Sequence, residues 1–151
     1  MDYILDTNIV LTYLRNNQLA RNLEQHLDLL SGEHNLIISV VSIGELKSIA
    51  KRNNWGKRRI SHLEDLLNDF MIADINVEVI IEKYAEIDAF SQGKLKGEEV
   101  NFTARNMGKN DLWIAATAVV LDVELITTDK DFEHLHSKFI RLRQIDLGLY
   151  K

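Results

Sequence analysis

Residues 3–14 read YILDTNIVLTYL, and this stretch joins a strand directly to a helix. The apolar run from Tyr3 to Leu5 ends at Asp6. From Thr7 onward the apolar residues recur at steps of three and four, which is the spacing of one helix face. A strand that passes into a helix without a loop is typical of α/β proteins, in which helices connect parallel strands.

Short apolar runs and helical patterns alternate along the rest of the chain. We predict further strands at residues 36–38, 75–77, 125–129 and 139–142. We predict further helices at residues 19–30, from about Glu45 to 52, at 60–71, 79–90 and 112–121, and a long loop over 91–110. Because parallel neighbours need crossover connections of this length, the pattern predicts an α/β fold: a three-layer α/β/α sandwich with a central, mainly parallel sheet.

The composition narrows the class of protein. The chain has 151 residues, 46% of them hydrophobic, which is enough for one domain over residues 1–151 and too little for two ordinary ones. Its 18 Lys and Arg against 23 Asp and Glu give a net charge of −5, which excludes a uniformly basic nucleic-acid binder. The lack of Cys excludes disulfides, thiolate metal sites and cysteine nucleophiles. Without a bilayer-length apolar run or a signal-peptide pattern, we expect a cytoplasmic protein.

Four acids from remote segments are predicted at one edge of the sheet. Asp6 and Asp129 end predicted strands, whereas Glu45 and Asp111 lie early in predicted helices. In open parallel sheets, ligands bind beyond the carboxyl ends of the strands, near the point where the strand order reverses. The four carboxylates are therefore expected to converge on one rim.

Each acid also has a purely structural explanation. Asp6 suits the N-cap of the first helix, and Asp111 in a first helical turn is favoured by the helix dipole. Glu45 lies at the edge of an apolar stripe, although a Glu on a helix is usually solvated. Thr128 and Asp131, three residues apart, resemble a capping box, so we rank Asp131 below Asp129 as a metal ligand.

The combination of acids favours a metal site over these separate explanations. Carboxylates brought together without cationic partners repel one another, which costs stability unless a hard cation neutralises them. No Lys or Arg is spaced to pair with Asp6 or Glu45 along its own helix. An all-oxygen set suits Mg²⁺ or Mn²⁺ rather than zinc, and none of the five His forms a His-x-x-x-His pair.

The acidic segments also carry a family resemblance. They are LDTN at residues 5–8, SIGEL at 42–46, NDLWIAATA at 110–118 and LITTDKDF at 125–132. In this order, and over nearly the whole chain, they resemble the successive motifs of PIN domains, and most of all the compact VapC toxins. The resemblance implies that the catalytic metal ligands are Asp6, Glu45, Asp111 and Asp129. Asp131 offers a further oxygen in the most variable motif.

The resemblance implies a metal-dependent ribonuclease, usually a homodimer, that is neutralised by an antitoxin whose tail enters the active-site groove. One or two Mg²⁺ or Mn²⁺ ions would activate water for attack on an RNA phosphodiester and stabilise the leaving oxygen. Thr7, Asn8 and Thr128 would orient the ligands or the phosphate through hydrogen bonds. The alternatives are a degenerate PIN scaffold that only binds partners and a Mg²⁺-dependent phosphatase or phosphotransfer domain. Asn8, however, stands where the haloacid-dehalogenase type of phosphatase has its second Asp.

RNA must approach this acidic protein through a local cationic patch. The first candidate, here called the basic patch, comprises Lys51, Arg52, Trp55, Lys57, Arg58 and Arg59. Phosphate contacts together with base stacking on Trp55 would suit single-stranded RNA. The structural alternative is a solvated helix junction with Trp55 packed inward. A second cationic strip lies in the long loop, at Lys94, Lys96, Arg105 and Lys109.

The expected homodimer requires apolar helix faces away from the acids. The candidates are Ile9, Val10 and Tyr13 on the first helix, and Val79, Ile80 and Tyr84 on a later one. The alternative is that these side chains only face the sheet.

Overall fold

The computed structural model describes all residues from Met1 to Lys151. Its strands are β1 (Asp2–Leu5), β2 (Asn35–Ser39), β3 (Met71–Ala73), β4 (Glu124–Thr127) and β5 (Arg141–Gln144). Its α-helices are α1 (Thr7–Leu14), α2 (Gln18–Leu27), α3 (Val40–Arg52), α4 (Lys57–Asn68), α5 (Glu78–Ser91) and α6 (Lys109–Leu121). Two 3-10 helices span Lys130–Leu135 and Leu147–Tyr150. None of the helices is long and apolar enough to cross a membrane.

The five strands form one sheet in the order β3-β2-β1-β4-β5, and every neighbouring pair is parallel. The chain builds outward from β1 through β2 to β3, then returns to place β4 on the other side of β1. The strand order therefore reverses between β1 and β4, which is where open α/β sheets bind ligands. The predicted three-layer α/β/α architecture is confirmed.

The two faces of the sheet carry separate cores because successive strand residues point to opposite sides. Tyr3 and Leu5 pack with residues of α1 to α4, whereas Ile4 packs with residues of α5, α6 and the first 3-10 helix. Leu125 and Ile126 of β4 divide between the two cores in the same way.

The first helix contributes to the core rather than to a dimer surface. Ile9 and Val10 are fully buried and Tyr13 is 8% exposed, so their prediction as dimer contacts is wrong. Ile80 is also buried, and Tyr84 packs its ring against Trp113 at a centroid distance of 4.3 Å. These side chains cover the sheet and neighbouring helices, as the alternative anticipated.

Helix α2 ends at Leu27, three residues before its predicted end. Asp28 adopts a left-handed conformation with φ of 52°, which stops the helix. The Glu24 carboxylate then accepts hydrogen bonds from the backbone N–H groups of Leu29 and Leu30, both at 2.8 Å. Leu30 therefore lies outside the helix, although its spacing from Leu27 fits a helical pattern.

The third strand lies at Met71–Ala73, so the predicted strand at 75–77 and the helix end at 71 are both wrong. Helix α4 stops at Asn68, which releases Met71 into an edge strand beside β2. The Asp74 carboxylate accepts from the N–H groups of Ile75 and Asn76 at 2.7 and 3.1 Å. This local turn removes those N–H groups from any strand ladder.

The last strand is shifted by two residues from its prediction, to Arg141–Gln144. Its register pairs Arg141 with Glu124 and Gln144 with Thr127 of β4. Arg143 donates to the Glu124 carboxylate at 2.8 Å, so charged side chains stabilise this edge strand. The prediction followed apolar residues and missed a strand whose alternate positions are polar.

Candidate metal centre

Asp6 lies at the carboxyl end of β1 and caps helix α1. Its Oδ1 accepts the N–H of Thr7 at 2.8 Å, and its Oδ2 accepts the hydroxyl of Thr127 at 2.6 Å. The predicted capping role is therefore present, but it engages one oxygen only. Burial raises the pKa of Asp6, and the nearby Glu45 and Asp129 raise it further against the two hydrogen bonds. A side chain that only caps a helix does not need neighbouring carboxylates that raise its pKa.

Thr127 joins the first and last acidic segments. It is fully buried at the end of β4, where its hydroxyl donates to Asp6 and accepts the N–H of Asp129 at 2.9 Å. Thr127 was not among the predicted site residues. The signal was the strand register: Leu5 pairs with Ile126, so the next residues, Asp6 and Thr127, are neighbours.

Glu45 lies in the second turn of α3, half-buried, on the side of the sheet that α1 covers. The hydroxyl of Thr7 donates to its Oε1 at 3.2 Å. Thr7 therefore contacts Asp6 through its backbone and Glu45 through its side chain, and it fixes the two acids relative to each other. Asn8, in contrast, is exposed, and its side chain makes no hydrogen bond to the acids.

Asp111, Asp129 and Asp131 form a compact group of carboxylates. One oxygen of each lies within 4.8 Å of the others. Asp111 lies in the first turn of α6, and Asp129 caps the following 3-10 helix by accepting the N–H of Asp131 at 2.8 Å. The cap is therefore Asp129, and the predicted capping box between Thr128 and Asp131 is wrong. Asp131 is the most exposed of the three.

The electrostatics of the five acids are unfavourable as they stand. Burial, together with the charges of Asp6, Asp129, Glu45 and Asp131, raises the pKa of Asp111 to about 7. The Asp111 carboxylate accepts no hydrogen bond, and none of the four ion pairs in the structure involves any of these acids. Oxygen ligands with surplus negative charge and no protein cation fit a hard divalent ion. Such an ion would neutralise the repulsion that raises the pKa.

The basic patch lies at the opposite end of α1 and α3 from the acids. Lys51 and Arg52 end α3, and Lys57, Arg58 and Arg59 begin α4, all exposed. Trp55 is half-buried and packs against the core, and the Arg59 guanidinium lies 4.7 Å from its ring centre. Trp55 is thus partly packed inward, in the direction of the structural alternative, and Arg59 lies over its ring.

The second cationic strip lies closer to the acids. Lys109 begins α6, two residues before Asp111. The Arg105 guanidinium donates to the backbone carbonyl of Lys130 at 3.4 Å, which brings a loop cation beside the 3-10 helix that carries Asp131.

Comparison with known proteins agrees with this arrangement. A family profile described as the PIN domain matches residues 3–138. The chain therefore belongs to the PIN domain family, a family of nucleases. No curated protein sequence is similar enough to count as a relative.

Solved structures of toxin–antitoxin complexes share the fold. VapBC-1 from nontypeable Haemophilus influenzae matches with a TM-score of 0.71 and 26% identity, over 95% of this chain and 98% of that chain. VapBC2 from Rickettsia felis, bound to a DNA fragment from their promoter, matches with a TM-score of 0.71 and 23% identity, over 97% and 100%. VapBC from Salmonella typhimurium, also bound to DNA, matches with a TM-score of 0.70 and 18% identity, over 95% and 98%. The PIN family match together with the 26% identical VapBC-1 structure confirms the resemblance to VapC-type PIN toxins, and the other two structures share the fold.

Proposed function

We propose that this protein is a divalent-metal-dependent endoribonuclease, the toxin of a VapBC-type toxin–antitoxin pair. The observation that carries the proposal is the group of acids at the strand-order reversal, where the pKa of Asp111 is raised to about 7 and no protein cation offsets the charge. Carboxylates that repel one another destabilise the metal-free protein. A function that requires a bound cation at these carboxylates accounts for their presence.

The proposed metal ligands are Asp6, Glu45, Asp111 and Asp129, with Asp131 as an additional donor. Bound Mg²⁺ or Mn²⁺ supplies Lewis-acid activation of water and of the scissile phosphate. The chain's own contribution is positioning. Thr7 sets Asp6 against Glu45, and Thr127 sets Asp6 against Asp129. Asp111 must lose its proton when it becomes a ligand, because only the carboxylate binds the ion well.

The path of the RNA is proposed to include Arg52. It follows Glu45 by two turns of α3, so the two side chains lie on the same helix face about 10 Å apart. A single strand of RNA whose scissile phosphate lies at the acids can therefore place a neighbouring phosphate near Arg52. The exposed Lys51, Lys57 and Arg58 extend this cationic surface, and the strip of Lys94, Lys96, Arg105 and Lys109 remains the alternative path.

The proposed protein partners are an antitoxin and a second copy of the chain. The neighbouring structures are of toxin–antitoxin complexes, and a group of carboxylates without a protein cation suits a cationic antitoxin segment. The surface proposed for the second copy consists of apolar residues that remain exposed on β3 and the start of α5. They are Met71 and Ile72, each 61% exposed, with Val77, Val79 and Ile81.

The function is tested by incubating the purified protein with RNA and Mg²⁺ or Mn²⁺, with and without a chelator. We expect internal cleavage that requires the ion and that is lost in Asp6→Asn and Glu45→Gln proteins that remain folded. RNA that stays intact with the parent protein would contradict the ribonuclease. Ion-dependent hydrolysis of a small phosphate ester by the same preparation would favour the phosphatase instead, and inactivity towards both would favour a binding scaffold.

A further inference from the structure

A pocket beside the acids is not used by the chemistry proposed above. It has a volume of about 450 Å³ and lies between the loop at residues 92–108 and the 3-10 helix Lys130–Leu135. Three rings contribute to its wall: Phe90, Phe102 and His134. Polar side chains surround them, so the pocket combines flat apolar surface with hydrogen-bonding groups.

The pocket is placed next to the acids by the 3-10 helix. Asp131 and His134 are three residues apart on this helix, so their side chains are eclipsed and separated by about 6 Å along it. Arg105, which also lines the pocket, donates to the carbonyl of Lys130. The spacing is of the order of one nucleotide step along a single strand.

The aromatic wall is held in place from behind. The hydroxyl of Ser91, which is fully buried, lies 2.7 Å from Nε2 of His134 and 3.3 Å from the sulfur of Met107. The ring of Phe102 stands edge-on to His134 and Phe90, at centroid distances of 5.2 and 5.5 Å. Burial, with the charge of Arg105, lowers the pKa of His134 to about 4, so this ring is neutral at physiological pH.

The charges at the pocket favour a neutral ring with N–H donors over a phosphate. The pocket is lined by three carboxylates, Glu98, Glu99 and Glu133. It is lined by only two cations, Arg105 and Lys138. Lys138 is already paired with Glu98 at 2.9 Å. The remaining carboxylates repel phosphate and accept hydrogen bonds from amino groups, while Arg105, on the side nearest Lys130, is available to the RNA backbone.

We propose that this pocket binds one unstacked base of the RNA substrate, next to the scissile phosphate, and thereby sets a sequence preference. Proteins read single-stranded RNA by stacking splayed bases on aromatic side chains and by hydrogen-bonding their edges. With carboxylates and the Asn101 amide at the rim, the pocket favours a base that carries an exocyclic amino group over uracil. The inference rests on the proposed ribonuclease function.

The test is to sequence the ends produced from a random-sequence RNA pool by the parent protein and two variants, Phe102→Leu and Asn101→Ala. Phe102→Leu keeps apolar volume and removes the aromatic face, while Asn101 is exposed, so its replacement leaves the fold intact. Phe139→Leu is the matched control, because Phe139 packs on Phe90 at 5.0 Å and does not line the pocket.

We expect the parent and Phe139→Leu proteins to disfavour uracil at one position beside the cut, and both pocket variants to lose this preference. In an Asp111→Asn background, which keeps RNA intact, Phe102→Leu is expected to weaken binding of the preferred sequence about tenfold. Cleavage by the parent without a preference at that position, or the same preference in Asn101→Ala and a folded Phe102→Leu, would overturn the pocket assignment. No cleavage by the parent would instead refute the ribonuclease itself.

Discussion

Two half-buried carboxylates of this protein, Glu24 and Asp111, have opposite surroundings. Glu24 accepts three hydrogen bonds of 2.8 Å, from the hydroxyl of Tyr13 and the N–H groups of Leu29 and Leu30. Asp111 accepts none, and burial, together with the four other carboxylates that it faces, raises its pKa to about 7. A structural carboxylate is surrounded by donors, whereas the carboxylates at the sheet edge lack the positive charge that would stabilise them. We attribute this difference to a metal ion.

The largest effect is expected from Asp111→Asn. Because Asp111 is a proposed ligand, ion-dependent RNA cleavage should fall by more than about 100-fold. The metal-free variant should unfold at the same temperature as the parent or higher, because one source of repulsion is gone. Cleavage rate and thermal unfolding of the same preparation measure both effects, and full activity in the folded variant would contradict the site.

The next largest effect is expected on Mn²⁺ affinity, which should differ between substitutions of the adjacent Thr127 and Thr128. Thr127→Val keeps the shape of a buried side chain and removes the hydroxyl between Asp6 and Asp129, so Mn²⁺ affinity should fall about 10- to 100-fold. Thr128→Val is the matched control, because the Thr128 side chain is half-buried and makes no hydrogen bond to the acids. Equal Mn²⁺ affinities in the two variants would argue against the positioning role of Thr127.

Glu24→Gln should have the reverse profile. One N–H acceptor is replaced by an amide group, so the free energy of unfolding should fall by about 1.5–3 kcal/mol. Cleavage per folded molecule should stay at the parent level, since Glu24 is remote from the acids. Urea unfolding measures the first quantity and the cleavage rate the second. If Glu24→Gln lost activity without losing stability, Glu24 would not be a purely structural carboxylate, and its contrast with Asp111 would be wrong.

A smaller effect is expected in the pH dependence of metal-free stability. The pKa of Asp111 is higher in the folded protein than in an unfolded chain, so protons favour the folded state between about pH 4 and pH 7. His134 acts in the opposite direction below about pH 6.5, because its folded pKa is lowered to about 4.

The difference between parent and Asp111→Asn isolates the Asp111 contribution from that of His134. At pH 8 the parent should melt a few degrees below the variant, and near pH 4 the gap should close. A gap that is the same at both pH values would mean that the folded protein does not raise the pKa of Asp111.

The smallest effect concerns the basic patch. Each lost phosphate contact should reduce the slope of log affinity against log salt by about 0.7 for single-stranded RNA. In the Asp111→Asn background, Arg52→Ala and Lys51→Ala should each lower the slope, while Lys151→Ala should not. An unchanged slope in both patch variants would move the RNA path to the strip of Lys94, Lys96, Arg105 and Lys109.

The sequence predicted the structure correctly where residues close together in the chain decide the position of a side chain. Asp6 ends a strand and begins a helix within residues 3–14, so its place at the sheet edge followed from the pattern. The α/β alternation likewise predicted the layers, because parallel strands need helical crossovers.

The sequence was insufficient where a side chain competes with the backbone or where strand register decides. Asp74 forms a turn that moves the third strand, and Glu24 supports the end of α2. Thr127 reaches Asp6 only through the register between β4 and β1. The pocket at His134 depends on a contact between Ser91, at the end of α5, and the first 3-10 helix, and no periodicity predicts this contact.

Calorimetric titration of the metal-free protein with Mn²⁺ at pH 7, in two buffers of different ionisation enthalpy, shows whether the sheet-edge carboxylates hold a metal ion. We expect binding with release of part of a proton, because Asp111 is partly protonated near its pKa of about 7 and must ionise to bind. We also expect Glu24→Gln to retain this binding and Asp111→Asn to lose both the affinity and the proton release. No binding by the parent, or equal binding and proton release in Asp111→Asn, would mean that these carboxylates are not a metal site.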